Sequence, residues 1–163
     1  MNNIILSIDP GYERLGVAVL SKNIQGNITL IHSECFKTKS DIPFSDRLVS
    51  IGNHITSVIQ IYKPTCLAIE NLFLQNNQKT AMKVSETRGV ILYIARTMNL
   101  DIHEFTPLQI KSVVTGSGSS DKTAVQKMVK IQVPEIKNKV DIVDDEYDAI
   151  ACGLVYFALE KSL

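Results

Sequence analysis

Four acidic residues lie where hydrophobic runs end or begin, which is an unfavourable place for a charged side chain. Asp9 and Glu70 each end an apolar run, and Asp145 and Asp148 lie three residues apart at the start of a third apolar stretch. A carboxylate in such a place is costly to keep charged and unpaired, and several together usually mean a bound cation. The four residues are therefore the candidate catalytic residues and metal ligands.

Oxygen-only ligands favour hard cations, so we expect Mg²⁺, with Mn²⁺ able to substitute. Two such ions about 3.5–4 Å apart can hold the attacking water and the leaving oxygen of a phosphodiester. The ions would also offset the repulsion between like-charged carboxylates. No zinc site competes, because His32, His54 and His103 are isolated in the sequence. The chemistry indicated is metal-dependent phosphodiester hydrolysis.

Each acidic position also has a purely structural explanation. Asp9 suits an Asp-Pro-Gly turn, Glu70 a salt bridge at a strand end, and the acids at 144–146 the first turn of a helix. Taken alone, the acids at 144–146 are explained as well by helix capping as by ligation. Taken together, the acidic residues favour a metal site, because all of these positions are expected at one edge of the same sheet.

Hydrophobic patterning predicts an α/β fold in a single domain over residues 1–163. The predicted strands are 4–9, 16–20, 27–38, 66–70 and 102–105, and the predicted helices are 44–62, 79–98, 107–114, 122–131 and 145–160. Gly89 inside the second helix indicates close packing there. Short connections predict an antiparallel meander for the first three strands, and the crossover helix predicts a fourth strand parallel to the first. Asp9 and Glu70 then emerge at the same sheet edge, where ligands bind in open α/β sheets.

Composition places few limits on function. The chain is 45% hydrophobic with a formal net charge of zero, so it is not coated in positive charge, although a local basic patch is possible. No apolar run is long enough to cross a membrane, and the N-terminus lacks the basic stretch of a signal peptide. Cys35, Cys66 and Cys152 are far apart and predict reduced thiols in a cytoplasmic protein.

A basic region precedes the last helix. Residues 111–139 hold six lysines against two acids, a local balance of +4. Lys127 and Lys130 are best explained as a solvated helix face, whereas Lys111 and Lys122 flank a Gly/Ser-rich loop whose backbone amides can approach phosphates. The candidate substrate-binding residues of the loop are Gly116, Ser117, Gly118 and Ser119.

These motifs together resemble those of RuvC, the family of bacterial Holliday-junction resolvases, and the resemblance extends over essentially the whole chain. The similar motifs are Ile8-Asp9-Pro10-Gly11, the Glu-x-x-Phe of 70–73, Ser85-Glu86-Thr87-Arg88-Gly89-Val90, Gln109-Ile110-Lys111, the Gly-Ser-Gly-Ser of 116–119 with Lys122, and the Asp-x-x-Asp-Ala of 145–149. Sugar kinases and actin-like ATPases share the opening motif alone, so the order and spacing of the later motifs carry the resemblance.

The resemblance implies a ribonuclease-H-like fold with a mixed five-stranded sheet flanked by helices, two divalent metal ions, and a homodimer that nicks a four-way DNA junction symmetrically during recombination and repair. It implies that Asp9, Glu70, Asp145 and Asp148 bind the metal ions. Lys111 and Lys122 would contact the scissile backbone or stabilise developing charge. The family's partner is a branch-migration motor.

By the same resemblance, Phe73 would stack on a base near the branch point, with core packing or a dimer contact as the alternative. One departure from the family concerns the last motif, which is alanine-rich and weakly polar in the family but acidic here. Asp144 or Asp141 could therefore replace Asp145 as a ligand. Asp145 is preferred because its spacing puts it on the same helix face as Asp148.

Other functions compete with junction resolution. A phage-type relative would cut branched DNA broadly, and a non-catalytic module would hold junctions without cutting, although retention of all four carboxylates speaks against the latter. A nucleotide-binding fragment of the actin or sugar-kinase kind would need a second lobe for which 163 residues leave no room. A related ribonuclease-H-like family that acts on RNA lacks this arrangement of motifs.

Overall fold

The computed structural model describes residues 3–71, 78–139 and 141–160. In these residues it has five strands: β1 (Asn3–Asp9), β2 (Arg14–Lys22), β3 (Ile28–Lys37), β4 (Cys66–Glu70) and β5 (Asp101–Phe105). The helices are α1 (Phe44–Tyr62), α2 (Gln78–Thr97), α3 (Pro107–Thr115), α4 (Lys122–Gln132) and α5 (Asp144–Leu159). A short 3₁₀ helix, Pro134–Asn138, was not predicted, since one such turn has no hydrophobic period. The described residues include no helix with the length and apolar character to cross a membrane.

The five strands form one mixed sheet in the order β3-β2-β1-β4-β5. Strand β1 pairs antiparallel with β2 and parallel with β4, as the connection lengths predict. The last pair in the parallel register is Ile8 with Ile69, so Asp9 and Glu70 follow side by side. The predicted sheet edge therefore exists, and two of the four carboxylates end adjacent strands there.

Each face of the sheet packs against its own set of helices. Alternate side chains of β1 separate the two layers: Leu6 and Ile8 pack with α1 and α2, whereas Ile5 packs with α3, α4 and α5. This alternation follows from the two-residue period of a strand. The site edge is therefore fixed by two hydrophobic layers that both include β1 and β4.

Helix α5 lies unusually close to the sheet. A Cβ atom at Gly153 would lie 2.6 Å from Cδ1 of Leu20 and 2.8 Å from Oγ of Ser7, so only glycine fits at this position. Gly89 differs, because a Cβ there would meet nothing within 4 Å. The expectation of close packing at Gly89 is wrong, and the glycine that allows a helix to approach the sheet is Gly153.

The two glycines give a matched pair of substitutions. Gly153→Ala is expected to lower the free energy of unfolding by about 1–3 kcal/mol, because the added methyl group overpacks the contact with Leu20 and Ser7. Gly89→Ala is expected to raise it by about 0.8–1 kcal/mol, through helix propensity alone. Urea unfolding of both variants at the same low protein concentration checks this, and equal effects would contradict the close approach of α5.

Candidate active site

Three carboxylates meet at the C-terminal ends of β1 and β4. Asp9 and Glu70 end the two strands, and Asp148 reaches the same edge from the first turns of α5. Their charges interact: the negative charges of Glu70 and Asp148 both act on Asp9, and that of Asp148 acts on Glu70. The structure thus brings together three of the four residues that the sequence analysis selected.

The site disfavours negative charge. Burial, followed by repulsion from Glu70, Asp148 and Asp145, raises the pKa of Asp9 to about 8. Burial and the charge of Asp148 raise the pKa of Glu70 to about 7, against the opposing influence of Lys111 and Lys122. The pKa of Asp148 is also raised, chiefly by burial. In the metal-free protein the buried edge therefore favours the protonated forms of Asp9 and Glu70 near neutral pH.

Two lysines face the same carboxylates. A cleft of about 220 Å³ is lined by Glu70, Asp148, Lys111 and Lys122, among others. The Nζ atom of Lys122 lies 2.9 Å from Oδ2 of Asp148. Lys122 heads α4 and Lys111 lies in α3, so the segment predicted to bind substrate folds back onto the carboxylate edge.

Asp145, the fourth predicted ligand, is held by an arginine. Nε and Nη2 of Arg14 donate to Oδ2 of Asp145 at 2.9 and 2.5 Å, and the Cys35 thiol donates to the same oxygen at 3.7 Å. Within the described residues, no group of three or more His, Cys, Asp or Glu side chains is arranged so that it could hold a metal ion. Asp145 is near enough to raise the pKa of Asp9, and its Oδ2 atom is the oxygen that Arg14 and Cys35 contact.

The first turn of α5 touches the sheet through a glycine. A Cβ at Gly16 would lie 2.0 Å from the backbone oxygen of Asp145 and 3.1 Å from Cβ of Asp9. Gly16 is also the register partner of Asp9 on β2. Glycine at this position therefore lets the backbone of Asp145 contact β2 directly beside Asp9.

The alternative ligands are more exposed than Asp145. Asp144 has a side chain that is 63% exposed, and it contacts Lys122 at 3.4 Å and Gln126 at 2.9 Å. Asp141 is exposed, with a backbone φ of 60°. Asp144 and Asp145 both help to raise the pKa of Asp148, but of the three candidates only Asp145 also acts on Asp9. This geometry favours Asp145 over both.

Helix capping does not account for the acidic first turn. The N-cap residue is Val143, and no side chain caps the helix there. Glu146 is buried instead: its Oε2 accepts from Ser33 Oγ at 2.8 Å and from Lys139 Nζ at 3.0 Å. Lys139 also donates to the backbone oxygen of Ser33 at 2.5 Å. This network anchors α5 to β3. In the sequence, the acidic run at 144–146 was the only sign of it.

The Gly/Ser-rich loop is exposed and bonded within itself. Gly116 ends α3 with a φ of 82°, which glycine adopts without strain. The hydroxyls of Ser117 and Ser119 lie 2.9 Å apart, and Gly118 packs closely against Leu108. Phe73 lies outside the described residues, so its predicted stacking role stays a prediction.

The donor types suit a hard divalent cation, because the ligand-forming groups at this edge are carboxylates whose burial and mutual repulsion raise their pKa values. Among the described residues they do not form a ready-made metal site, so a cation would have to draw them together. A cation there would favour the ionised forms of Asp9, Glu70 and Asp148. Which side chains bind an ion stays a prediction of the sequence analysis that this arrangement supports.

Comparison with known proteins agrees with the geometry. Residues 5–156 match the family model described as crossover junction endodeoxyribonuclease RuvC. Proteins of that name from Thermosipho melanesiensis and Caldicellulosiruptor saccharolyticus are 43% and 36% identical, over 90% and 98% of this chain and 92% and 95% of their own lengths. The solved structure of Thermus thermophilus RuvC in complex with Holliday junction substrate superposes with a TM-score of 0.88 at 25% identity, covering 98% of this chain and 96% of that one.

The sheet order and the acidic edge define a ribonuclease-H-like nuclease fold, as predicted. The match extends over nearly the whole chain in both sequence and structure. The chain belongs to the RuvC family of crossover junction endodeoxyribonucleases.

Replacing Asp9 by asparagine is expected to stabilise the metal-free protein. The unfolded chain releases the Asp9 proton near pH 4, whereas the folded chain keeps it to about pH 8. The free energy of unfolding should therefore fall as pH rises through this window in EDTA, and Asp9→Asn should flatten that fall. At pH 8 a gain of about 1 kcal/mol would raise Tm by about 2–4 °C.

Differential scanning calorimetry with EDTA or Mg²⁺ measures the effect. Mg²⁺ should raise the Tm of the wild type at pH 8 more than that of Asp9→Asn. Asp41→Asn, at an exposed position away from the sheet, is the matched control and should behave as the wild type. A metal-free Asp9→Asn protein less stable than the wild type at pH 8 would contradict the assigned cause.

Proposed function

We propose that this chain resolves four-way DNA junctions by hydrolysing one phosphodiester on each of two opposed strands, in recombination and repair. The observation that carries the proposal is the convergence of Asp9, Glu70 and Asp148 at one sheet edge of a chain that matches the RuvC family almost end to end. The T. thermophilus relative was solved with a Holliday junction bound.

The four carboxylates are proposed to bind two Mg²⁺ ions, with Mn²⁺ as a substitute. When bound, such ions hold the phosphodiester and activate water for its hydrolysis. The chain's own contribution is to fix the oxygens: Asp9 and Glu70 through the β1–β4 register, and Asp148 through the buried face of α5. Asp145 completes the set once its carboxylate leaves Arg14.

The cationic side of the cleft is proposed to receive the DNA backbone. Lys122 faces Asp148 at 2.9 Å, so it is placed to stabilise negative charge that develops on the phosphate. Lys111 lines the same cleft. The amides of the exposed loop at 116–119 can contact neighbouring phosphates, which position DNA without reading its sequence. Phe73 keeps its proposed role of stacking on a base near the branch point.

Paired symmetric cuts require two active sites, and we propose a homodimer. A groove of about 670 Å³ between α1 and α2 supports this proposal. It is lined by Val49 and Tyr93, and it lies on the opposite sheet face from α5, so a partner bound there would leave the α5 face free. These two side chains are 60% and 71% exposed, and exposed apolar patches of this kind mark interaction surfaces. A branch-migration motor is the further proposed partner, and the free thiols of all three cysteines support a cytoplasmic location.

Junction cleavage tests the function directly. Purified protein with Mg²⁺ should place paired symmetric nicks in a labelled four-way junction and leave linear duplex, flap and fork intact, and EDTA should abolish the cuts. Asp9→Asn and Asp148→Asn should each lower the cleavage rate at least about 100-fold. Loss of an outer-shell partner of a metal costs up to about 100-fold, and loss of a direct ligand should cost at least as much. Asp41→Asn is the control.

Each other result has a defined meaning. Equal cutting of all branched forms would replace this function by that of a broad nuclease of the phage type. Tight junction binding without cutting in Mg²⁺ or Mn²⁺ would indicate a binding module. Wild-type rates for both site variants would show that the site is elsewhere.

The dimer is tested by Tyr93→Arg. A charged side chain in the groove between α1 and α2 should weaken self-association at least about tenfold, because a central interface aromatic contributes about 2 kcal/mol or more. Ile24→Arg is the matched control, since Ile24 is 87% exposed on the β2–β3 hairpin, outside the groove. Analytical ultracentrifugation measures both. A Tyr93→Arg protein as dimeric as the wild type would rule out this face.

A further inference from the structure

One predicted ligand, Asp145, already has a cationic partner from its own chain. Its Oδ2 atom accepts two N–H groups of the Arg14 guanidinium and the S–H group of Cys35. Arg14 begins β2 and Cys35 lies in β3, so these contacts draw the carboxylate towards the β2–β3 side of the edge. Asp9 and Glu70 lie on the other side, at the ends of β1 and β4.

The second cationic pair at this edge has a different geometry. Lys122 contacts Asp148 from within the cleft that Glu70 also lines, so that contact keeps the carboxylate in the cleft. Arg14 is not among the residues that line this cleft. A cation that took Oδ2 of Asp145 as a ligand would compete with Arg14 for that oxygen, and a cation on Oδ1 would lie beside the guanidinium charge.

Arg14 is also the partner that a polyanion can reach. Its side chain is 48% exposed, against 21% for Asp145. A guanidinium binds phosphate through two parallel N–H···O bonds, as it binds a carboxylate, and DNA presents many phosphates at once. A backbone phosphate next to β2 can therefore exchange with Asp145 as the acceptor for Arg14.

The geometry points to Arg14 as a positioning residue that couples DNA binding to cation binding: it holds Asp145 in the free protein, and a DNA phosphate takes the guanidinium and releases the carboxylate to the ion. The inference rests on the proposed function, because it takes DNA as the substrate and Asp145 as a ligand. Coupling of this kind is reciprocal, so the ion should strengthen DNA binding by the same factor by which DNA strengthens ion binding. The free protein would thereby keep an incomplete site until DNA arrives.

The first test measures ion binding without DNA. Isothermal titration with Mn²⁺ should show that Arg14→Gln binds the ion about 2–5-fold more tightly than the wild type, the range expected for removing one partly exposed ion pair. Arg96→Gln is the matched control, since Arg96 forms an exposed pair with Asp101 at 3.4 Å, away from the site. In an Asp145→Asn background, Arg14→Gln should no longer change Mn²⁺ affinity, which a merely structural role for Arg14 would not produce.

The second test measures the coupling. Fluorescence anisotropy gives the affinity for a labelled four-way junction in EDTA and in Ca²⁺. The gain in junction affinity from Ca²⁺ should be smaller for Arg14→Gln than for the wild type, because Asp145 is already free in the variant. Arg14→Lys, which keeps the charge but offers a single donor group, should fall between the two and replaces Arg14→Gln if that variant does not fold.

Unchanged Mn²⁺ affinity in Arg14→Gln, or tightening that persists in the Asp145→Asn background, would overturn the inference. An equal Ca²⁺ gain in both proteins would do the same. Cleavage of the junction by the wild type in Mg²⁺ is measured separately. Absence of cleavage by the wild type would overturn the proposed function. If the wild type cuts the junction but Arg14→Gln changes neither Mn²⁺ affinity nor the Ca²⁺ gain, only the coupling is overturned.

Discussion

The burial of several carboxyl groups close together at the ends of β1 and β4 is the constraint on which the rest of the site depends. Burial and neighbouring charge raise the pKa of Asp9 to about 8 and that of Glu70 to about 7, so the free protein maintains an edge that disfavours its own ionised state. Such strain costs stability, and it persists where the surrounding structure fixes the groups and function uses them. In the proposed function, a divalent cation would favour the ionised carboxylates, and the phosphates of a polyanionic substrate would pair with the lysines.

Helix α5 brings Asp148 to this edge because it packs so close to the sheet that only glycine fits at the contacts. Gly153 and Gly16 leave no room for a side chain between α5 and the sheet, and the buried Glu146 carboxylate fixes the helix start against β3 through Ser33 and Lys139. The carboxylate of Asp148 therefore lies on a rigid element rather than on a loop. Rigid placement matters for catalysis, since small displacements of reacting groups cost large factors in rate.

Much of this was predictable from local pattern. The periodicity of β1 and β4 and the length of the crossover dictate parallel pairing, which puts Asp9 beside Glu70, and the three-residue spacing put Asp145 and Asp148 on one helix face. What pattern could not supply was pairing between distant positions. The Arg14–Asp145 contact and the hydrogen bond from Ser33 to the buried Glu146 carboxylate depend on tertiary placement. The glycines show the same limit: spacing singled out Gly89, whereas the packing depends on Gly153.

The most direct measurement is anomalous diffraction from crystals of the protein soaked in Mn²⁺, recorded above and below the manganese absorption edge. We expect anomalous density among the carboxylates of Asp9, Glu70 and Asp148, and none there in crystals of Asp9→Asn treated in the same way. Density elsewhere on the molecule, with none at this edge of the sheet, would contradict the central claim that these carboxylates form a cation site.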